Sequence, residues 1–335
     1  MGQLTMLKLK HISWAVTSQC NLHCSHCFAS KELGNEISYE FAQNNIINEL
    51  AHLGGKSIGF TGGEPLLRND ILYLISYAKQ KDLLVSLVTN GLLLDSDMAK
   101  RLKRAGLDRL QISLDASNSE DNDAIRGNGV FDIVTKEAIP NSKKAGLHVT
   151  LAATPTKSLH HNLHLYIDLA VDLKVDAIYI RRFVKQQSHY ADISCIQNNY
   201  YFLQSIYEHS VKYRNRISIH CGDPQYALVN PKYRKYKGRS DLISGCAAGL
   251  TSLSITADGS VQLCTRAPLS LGNVKSNSLK TIWTSNDLIK KVRNRLNFCG
   301  KCAKCEYLFL CGGCRATALH SSSIIGSDPY CILSI

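Results

Sequence analysis

What the chain lacks narrows its reading first. No apolar run approaches the roughly 20 residues a membrane span needs, so no membrane association is expected. The first ten residues alternate lysines with apolar side chains and no apolar stretch follows, so they do not read as a secretory signal. No basic run is interleaved with aromatics at a stacking spacing, and nucleic acid is not the expected partner. Acidic residues are the scarcer charge: 27 of them against 39 Lys and Arg leave a formal net charge of +12. That excess reads either as solubility with general affinity for polyanions, or as internal counter-charge for an anionic group that the formal count omits.

Cysteine is what the chain has in excess. Its 335 residues are otherwise of ordinary globular composition, long enough for one large domain or a domain with an appendage. Thirteen cysteines are too few for a small disulfide-stapled scaffold and too many for inert core thiols. With no secretory signal, the expected setting is cytoplasmic and reducing. There, clustered cysteines bind metal more often than they bridge.

Short apolar runs at 12–16, 57–60, 83–88, 109–114, 148–153 and 177–181 alternate with helical patterns. Ser38 reads as the N-cap of the first helix and Gly54–Gly55 as its stop. Further helices are expected at 95–105, 132–145, 161–173 and 198–213, with Pro140 kinking or breaking the second of these. Six β-then-α units imply right-handed crossovers and a parallel sheet, an α/β partial (β/α)6 TIM-like barrel with ligands at the carboxyl ends of its strands. The expected division is a barrel over 1–213, a basic, tyrosine-rich bridge over 214–245 and a cysteine-rich domain over 246–335. The last has too little apolar periodicity for a core of its own and reads as a module held together by metal.

Cys20, Cys24 and Cys27 follow the first strand as C-x3-C-x2-C. Three thiolates there hold three irons of a 4Fe-4S cluster and leave the fourth iron open; alternatively His23 or His26 completes a zinc site. The loop Cys20-Asn-Leu-His-Cys24-Ser-His-Cys27-Phe resembles the cluster loop of the radical S-adenosylmethionine (SAM) superfamily. Thr61-Gly62-Gly63-Glu64-Pro65, after the second strand, resembles that family's GGEP motif, whose backbone meets the amino group of SAM. Asn90 in Thr89-Asn90-Gly91, with Ser113 and Asp115, falls where the family places ribose and methionyl contacts; each is otherwise an ordinary polar strand end. Arg126 reads as a carboxylate partner or a solvated helix-end charge. Arg181 and Arg182 read as facing a SAM or substrate carboxylate, or as a surface pair. The resemblance implies reductive cleavage of SAM to a 5′-deoxyadenosyl radical that takes hydrogen from a substrate, with flavodoxin or ferredoxin as electron donor.

The remaining cysteines are similar to the SPASM extension of such enzymes, a module for two auxiliary clusters. Cys311-Gly-Gly-Cys314-Arg and Asp328-Pro-Tyr-Cys331 match its wording. By that resemblance Cys246, Cys264 and Cys314 bind one auxiliary cluster, and Cys302, Cys305, Cys311 and Cys331 the other, for three 4Fe-4S clusters in all. The pair Cys311/Cys314 is spaced by two residues where three is usual. Cys299 is an extra, either a fourth ligand to the first auxiliary cluster or a free thiol. Cys195 and Cys221 belong to neither module. The rival reading is a zinc-ribbon-like binding module, which leaves Cys246, Cys264 and Cys331 unexplained.

The family's range of substrates puts maturation of a ribosomally made peptide first and a small anionic molecule (sugar, nucleoside or tetrapyrrole) second. About ten residues precede the first strand, so a fused leader-binding domain is not expected, whereas a separate leader-binding protein is compatible with the sequence.

Overall fold

The computed structural model describes residues 7–27, 35–184, 199–239 and 244–333. The six anticipated strands are present: β1 (His11–Thr17), β2 (Ser57–Gly62), β3 (Leu84–Thr89), β4 (Arg109–Ser113), β5 (Val149–Ala153) and β6 (Ala177–Ile180). They pair side by side in chain order, all parallel. The helices between them begin where a side chain replaces a missing backbone acceptor. Ser38, Asp95, Asn118 and Thr156 each accept the N–H three residues on.

Pro140 does not break its helix. A π turn, Val134–Ala138, precedes it, and the helix continues over Ile139–Lys144. The wider turn carries its hydrogen bond from Ile139 N–H to Val134, so the donor that proline lacks falls where the ladder is already shifted.

Two further departures concern the C-terminal third. The stretch expected as a bridge supplies β7 (Ser218–Cys221), parallel to β6. Then β8 (Ser252–Ile255) pairs parallel with the free edge of β1, and β9 (Ser260–Cys264) and β10 (Ala267–Asn273) continue antiparallel. The result is one ten-stranded sheet in the order β10-β9-β8-β1-β2-β3-β4-β5-β6-β7. Its two flanks meet at the strands' carboxyl ends, where Arg266 after β9 donates from Nη1 to the carbonyl of Arg182 after β6.

The apolar side chains of this added part do not stand apart. Leu253, Ile255, Val261, Leu263, Ile282, Trp283 and Val292 join the same buried cluster as Trp14 and Phe60. Among the described residues, Phe298, Cys302 and Leu308 form a separate small core. Apolar side chains of the expected cysteine-rich domain, Cys314, Ala316 and Ile324 included, thus pack with the barrel core. Buried arginines add to that packing. Arg315 lies over the Phe298 ring at 4.2 Å and donates to the carbonyls of Ile324 and Gly326. Arg295 donates to those of Leu308 and Ser244. Among the described residues no helix is long and apolar enough to cross a membrane.

Ending the chain after Gly245 bares the β1 edge and the face of Trp14 that β8 covers, so insoluble protein is expected. A soluble, folded 1–245 fragment, judged by yield and near-ultraviolet circular dichroism, would show the hairpin to be a mere appendage.

Candidate active site and cysteine groups

The Cys20–Cys27 loop leaves the carboxyl end of β1 and is stitched to three neighbouring strand ends. From β2, Gly63 N–H donates to Thr17 O at 2.8 Å and Glu64 N–H to Gln19 O at 2.7 Å. From β3, Asn90 Nδ2 donates to Asn21 Oδ1 at 2.7 Å. From the helix after β4, the Ile125 carbonyl accepts from Ser25 N–H at 2.9 Å. The glycines of the Gly-Gly-Glu-Pro turn are needed for this stitching. A Cβ on Gly63 would stand 2.0 Å from Gln19 O, and one on Gly62, at φ +142°, 2.3 Å from Thr17 O.

The loop opens on a solvent-open cleft at the strands' carboxyl ends whose empty space, solvent included, is about 1030 Å³. Of the residues anticipated from sequence, Cys20, Cys24, Cys27, Gly62, Gly63, Asn90, Ser113 and Arg126 line it, as do Arg181 and Arg182. Glu64, Pro65 and Asp115 do not; they lie buried beneath it. The Glu64 carboxylate accepts from Thr89 Oγ1 and Asn90 N–H at 2.8 Å and from Leu66 N–H at 3.1 Å, joining β2 to β3. Burial lifts its carboxyl to about 7 against the pull of those three donors. Asp115 lies 2.7 Å from Arg126 Nε and 2.9 Å from His26 Nε2. Burial opposes its charge, yet Arg126 and His26 hold it well below the usual carboxylate range. Arg126 is thus a carboxylate partner and not a solvated charge, and the His26 ring is engaged by Asp115.

Arg182 is no surface residue either. Its guanidinium is buried, with Nη1 3.0 Å from both oxygens of Asp223 and Nη2 2.7 Å from Asp328. Asp328 also accepts from Cys314 N–H and Gln225 Nε2 at 2.9 Å, which fastens the C-terminal segment to β6 and β7. Sequence reasoning missed Arg266, which also lines the main cavity. Its only advance signal was a cation two residues beyond a cysteine of the SPASM pattern.

The other cysteines fall into two groups. Burial raises the pKa of the Cys246 thiol, and the nearby Cys314 and Cys264 raise it further. Cys302, Cys305, Cys311 and Cys331 line a separate cavity of about 410 Å³. Burial likewise raises the thiols of Cys305, Cys311 and Cys331. Together these are the cysteines that the resemblance assigns to the two auxiliary clusters. Buried thiols that favour the neutral form are costly as free thiolates and are relieved by iron, so the donor sets suit clusters. Among the described residues no three His, Cys, Asp or Glu converge on a point for a single ion. A cubane asks for wider spacing, because each thiolate meets a different iron. Cys299 is exposed, its thiol donating to Asn297 O at 3.7 Å, and it does not line the second cavity. Cys221 ends β7 by itself, its thiol raised to about 12 by burial, and Cys195 lies outside the described residues.

Two substitutions read this site. Gly63→Ala forces Gln19 away, and loss of the N-terminal cluster's iron is expected with the C-terminal iron retained, as measured by iron content and Mössbauer spectra. For Glu64, the folded value lies above the ordinary 4.5, so ionisation works against the fold. Its contribution is most favourable below about pH 4.5, declines up to about 7 and is level beyond. Glu64→Gln should remove that slope, at most about 3 kcal/mol, from the pH dependence of denaturation midpoints.

Comparison with known proteins agrees with this geometry. Residues 14–160 match the family model of the radical SAM superfamily, and residues 246–306 that of an iron-sulfur cluster-binding domain, SPASM. The Fe-coproporphyrin III synthase of Methanosarcina barkeri is 30% identical over 96% of this chain and 88% of its own. The mycofactocin maturase MftC of Mycolicibacterium smegmatis is 28% identical over 96% and 82%. The crystal structure of Streptococcus suis SuiB bound to S-adenosylmethionine superposes with a TM-score of 0.81 at 18% identity, over 98% of this chain and 78% of that one, a likeness of fold. A cysteine loop and glycine turn on one parallel-sheet mouth, two further cysteine groups and these matches lead to one conclusion: the chain is a radical SAM superfamily enzyme with a C-terminal SPASM domain.

Proposed function

We propose that the enzyme takes a hydrogen atom from an anionic small molecule of the tetrapyrrole class. The observation that carries this is the shared cavity: Cys20, Cys24 and Cys27, the Gly62–Gly63 backbone and the cationic side chains of Arg181 and Arg266 all open on it. A 4Fe-4S cluster held by those three cysteines supplies, when bound, the electron that cleaves SAM to the hydrogen-abstracting radical. The chain's own residues bind, orient and exclude water. Gly62, Gly63, Asn90, Ser113 and Arg126 border the place for SAM, and Leu22, Val88, Ala152, Ala153 and Val184 give the cavity apolar walls that keep a radical from solvent.

Cys246, Cys264 and Cys314, and separately Cys302, Cys305, Cys311 and Cys331, hold two auxiliary clusters in this reading. Cys299 is left out of the set, and a flavodoxin or ferredoxin delivers the electron. The tetrapyrrole class is supported by the likeness to the Fe-coproporphyrin III synthase. Peptide maturation, with a separate leader-binding protein, stands second on the likeness to the mycofactocin maturase.

Anaerobically reconstituted protein should hold about twelve irons in three clusters. Replacing Cys20, Cys24 and Cys27 together should remove about four of them and all 5′-deoxyadenosine. Incubation with Fe-coproporphyrin III, followed by mass spectrometry, should show a porphyrin product; continued 5′-deoxyadenosine from the triple variant would sink the assignment. A modified peptide with unchanged porphyrin would move the second reading to first.

A further inference from the structure

We propose that Arg181 and Arg266 together bind a carboxylate of the substrate at the rim of the main cavity. This rests on the anionic-substrate reading above and names the side chains that would recognise the anion.

Four arginines line that cavity: Arg126, Arg181, Arg182 and Arg266. Two are neutralised within the protein, Arg126 by Asp115 and Arg182 by Asp223 and Asp328. Arg181 and Arg266 have no carboxylate within ion-pair distance among the described residues. Arg181 directly follows β6, lies 5.7 Å over the Tyr179 ring, and its Nε is shielded from water without a hydrogen-bond partner. Arg266 donates to the carbonyl of Arg182 and also interacts with the thiol of Cys264, with Cys314 nearby. Its own carbonyl stands 3.0 Å from His320 Nε2, so its backbone is pinned rather than free to swing away.

A guanidinium removed from water without a counter-charge is costly, and the fold elsewhere at this rim supplies a carboxylate each time. Arg266 already faces the thiols of Cys264 and Cys314, so Arg181 is the one left for the ligand to neutralise, with Arg266 a second guanidinium on the same cavity. A planar carboxylate suits them because guanidinium donors meet its oxygens in a fixed fork. Position separates this anion from the carboxylate of SAM. The glycine turn, Asn90 and Ser113 belong to β2 to β4 and their ends, whereas Arg181 and Arg266 stand just past β6 and β9, where Arg266 meets Arg182.

The test uses the anaerobically reconstituted full-length enzyme with SAM present, and the probes are Fe-coproporphyrin III and its tetramethyl ester. Binding is followed by the porphyrin absorbance, and SAM affinity and iron content are measured in parallel. Wild type should prefer the free acid. Arg181→Gln should bind the acid about ten- to a hundredfold more weakly, with the ester, SAM and iron unchanged. Arg181→Lys should recover part of the loss, and Arg266→Lys, which keeps a charge beside Cys264, should weaken the acid selectively. Equal affinity of Arg181→Gln and wild type for the acid overturns the inference, as does a loss of SAM affinity in its place. Wild type binding neither porphyrin overturns the tetrapyrrole reading alone. The arginines are then judged with a peptide bearing a free or an amidated C-terminus, where equal binding of the two by wild type overturns their role.

Discussion

One strand with a partner on each edge governs the rest. β1 hydrogen-bonds β2 on one side and β8 on the other, with Trp14 opposite Phe60 and Ile255. Its carboxyl end releases the Cys20–Cys27 loop. Its second edge leads through β8 and β9 to Cys264 and Arg266. The distance between the N-terminal cysteine loop and the first C-terminal cysteine group is therefore fixed by sheet register and not by a flexible linker. A slip of one residue would turn Trp14 from core to the opposite face, so the register is strongly held.

On that frame, buried polar groups place the loops. Glu64 joins β2 to β3, Asp115 joins the cysteine loop to Arg126, and the Arg182–Asp223–Asp328 cluster joins the C-terminal segment to β6 and β7. Removing one partner of such a pair strands a charge, at a typical cost of about 3–5 kcal/mol. These networks explain how loops rich in glycine and cysteine, with little apolar surface, hold a defined shape around the cavity.

The barrel strands were legible because each is a β-rich run bounded by helix caps and glycines. β7 and β8 were not: each alternates polar and apolar side chains, but over only four residues, too short a run to set apart from a loop. The two C-terminal cysteine sets came from the resemblance to the SPASM pattern, because spacing alone leaves open which thiols share a site. The role of Glu64 was not legible, because a carboxylate in a turn is read as exposed until the fold shows it covered on every side. Arg181 and Arg182 are adjacent and chemically alike. Only the positions of Asp223 and Asp328, 41 and 146 residues away from Arg182, separate a structural cation from an unneutralised one.

The net charge of +12 takes on a physical meaning in the same frame. A four-thiolate 4Fe-4S cluster carries about −2 when oxidised, and burying it calls for cations nearby. Each cysteine group has one. Arg126 acts on Cys24, Arg266 on Cys264 and Cys314, and Arg295 on Cys246, Cys302 and Cys311. Part of the basic excess is thus interior counter-charge, placed before any cluster arrives. Arg181 differs from these three. Its side chain rests on Tyr179 and faces the cavity, so the anion it lacks arrives from solution.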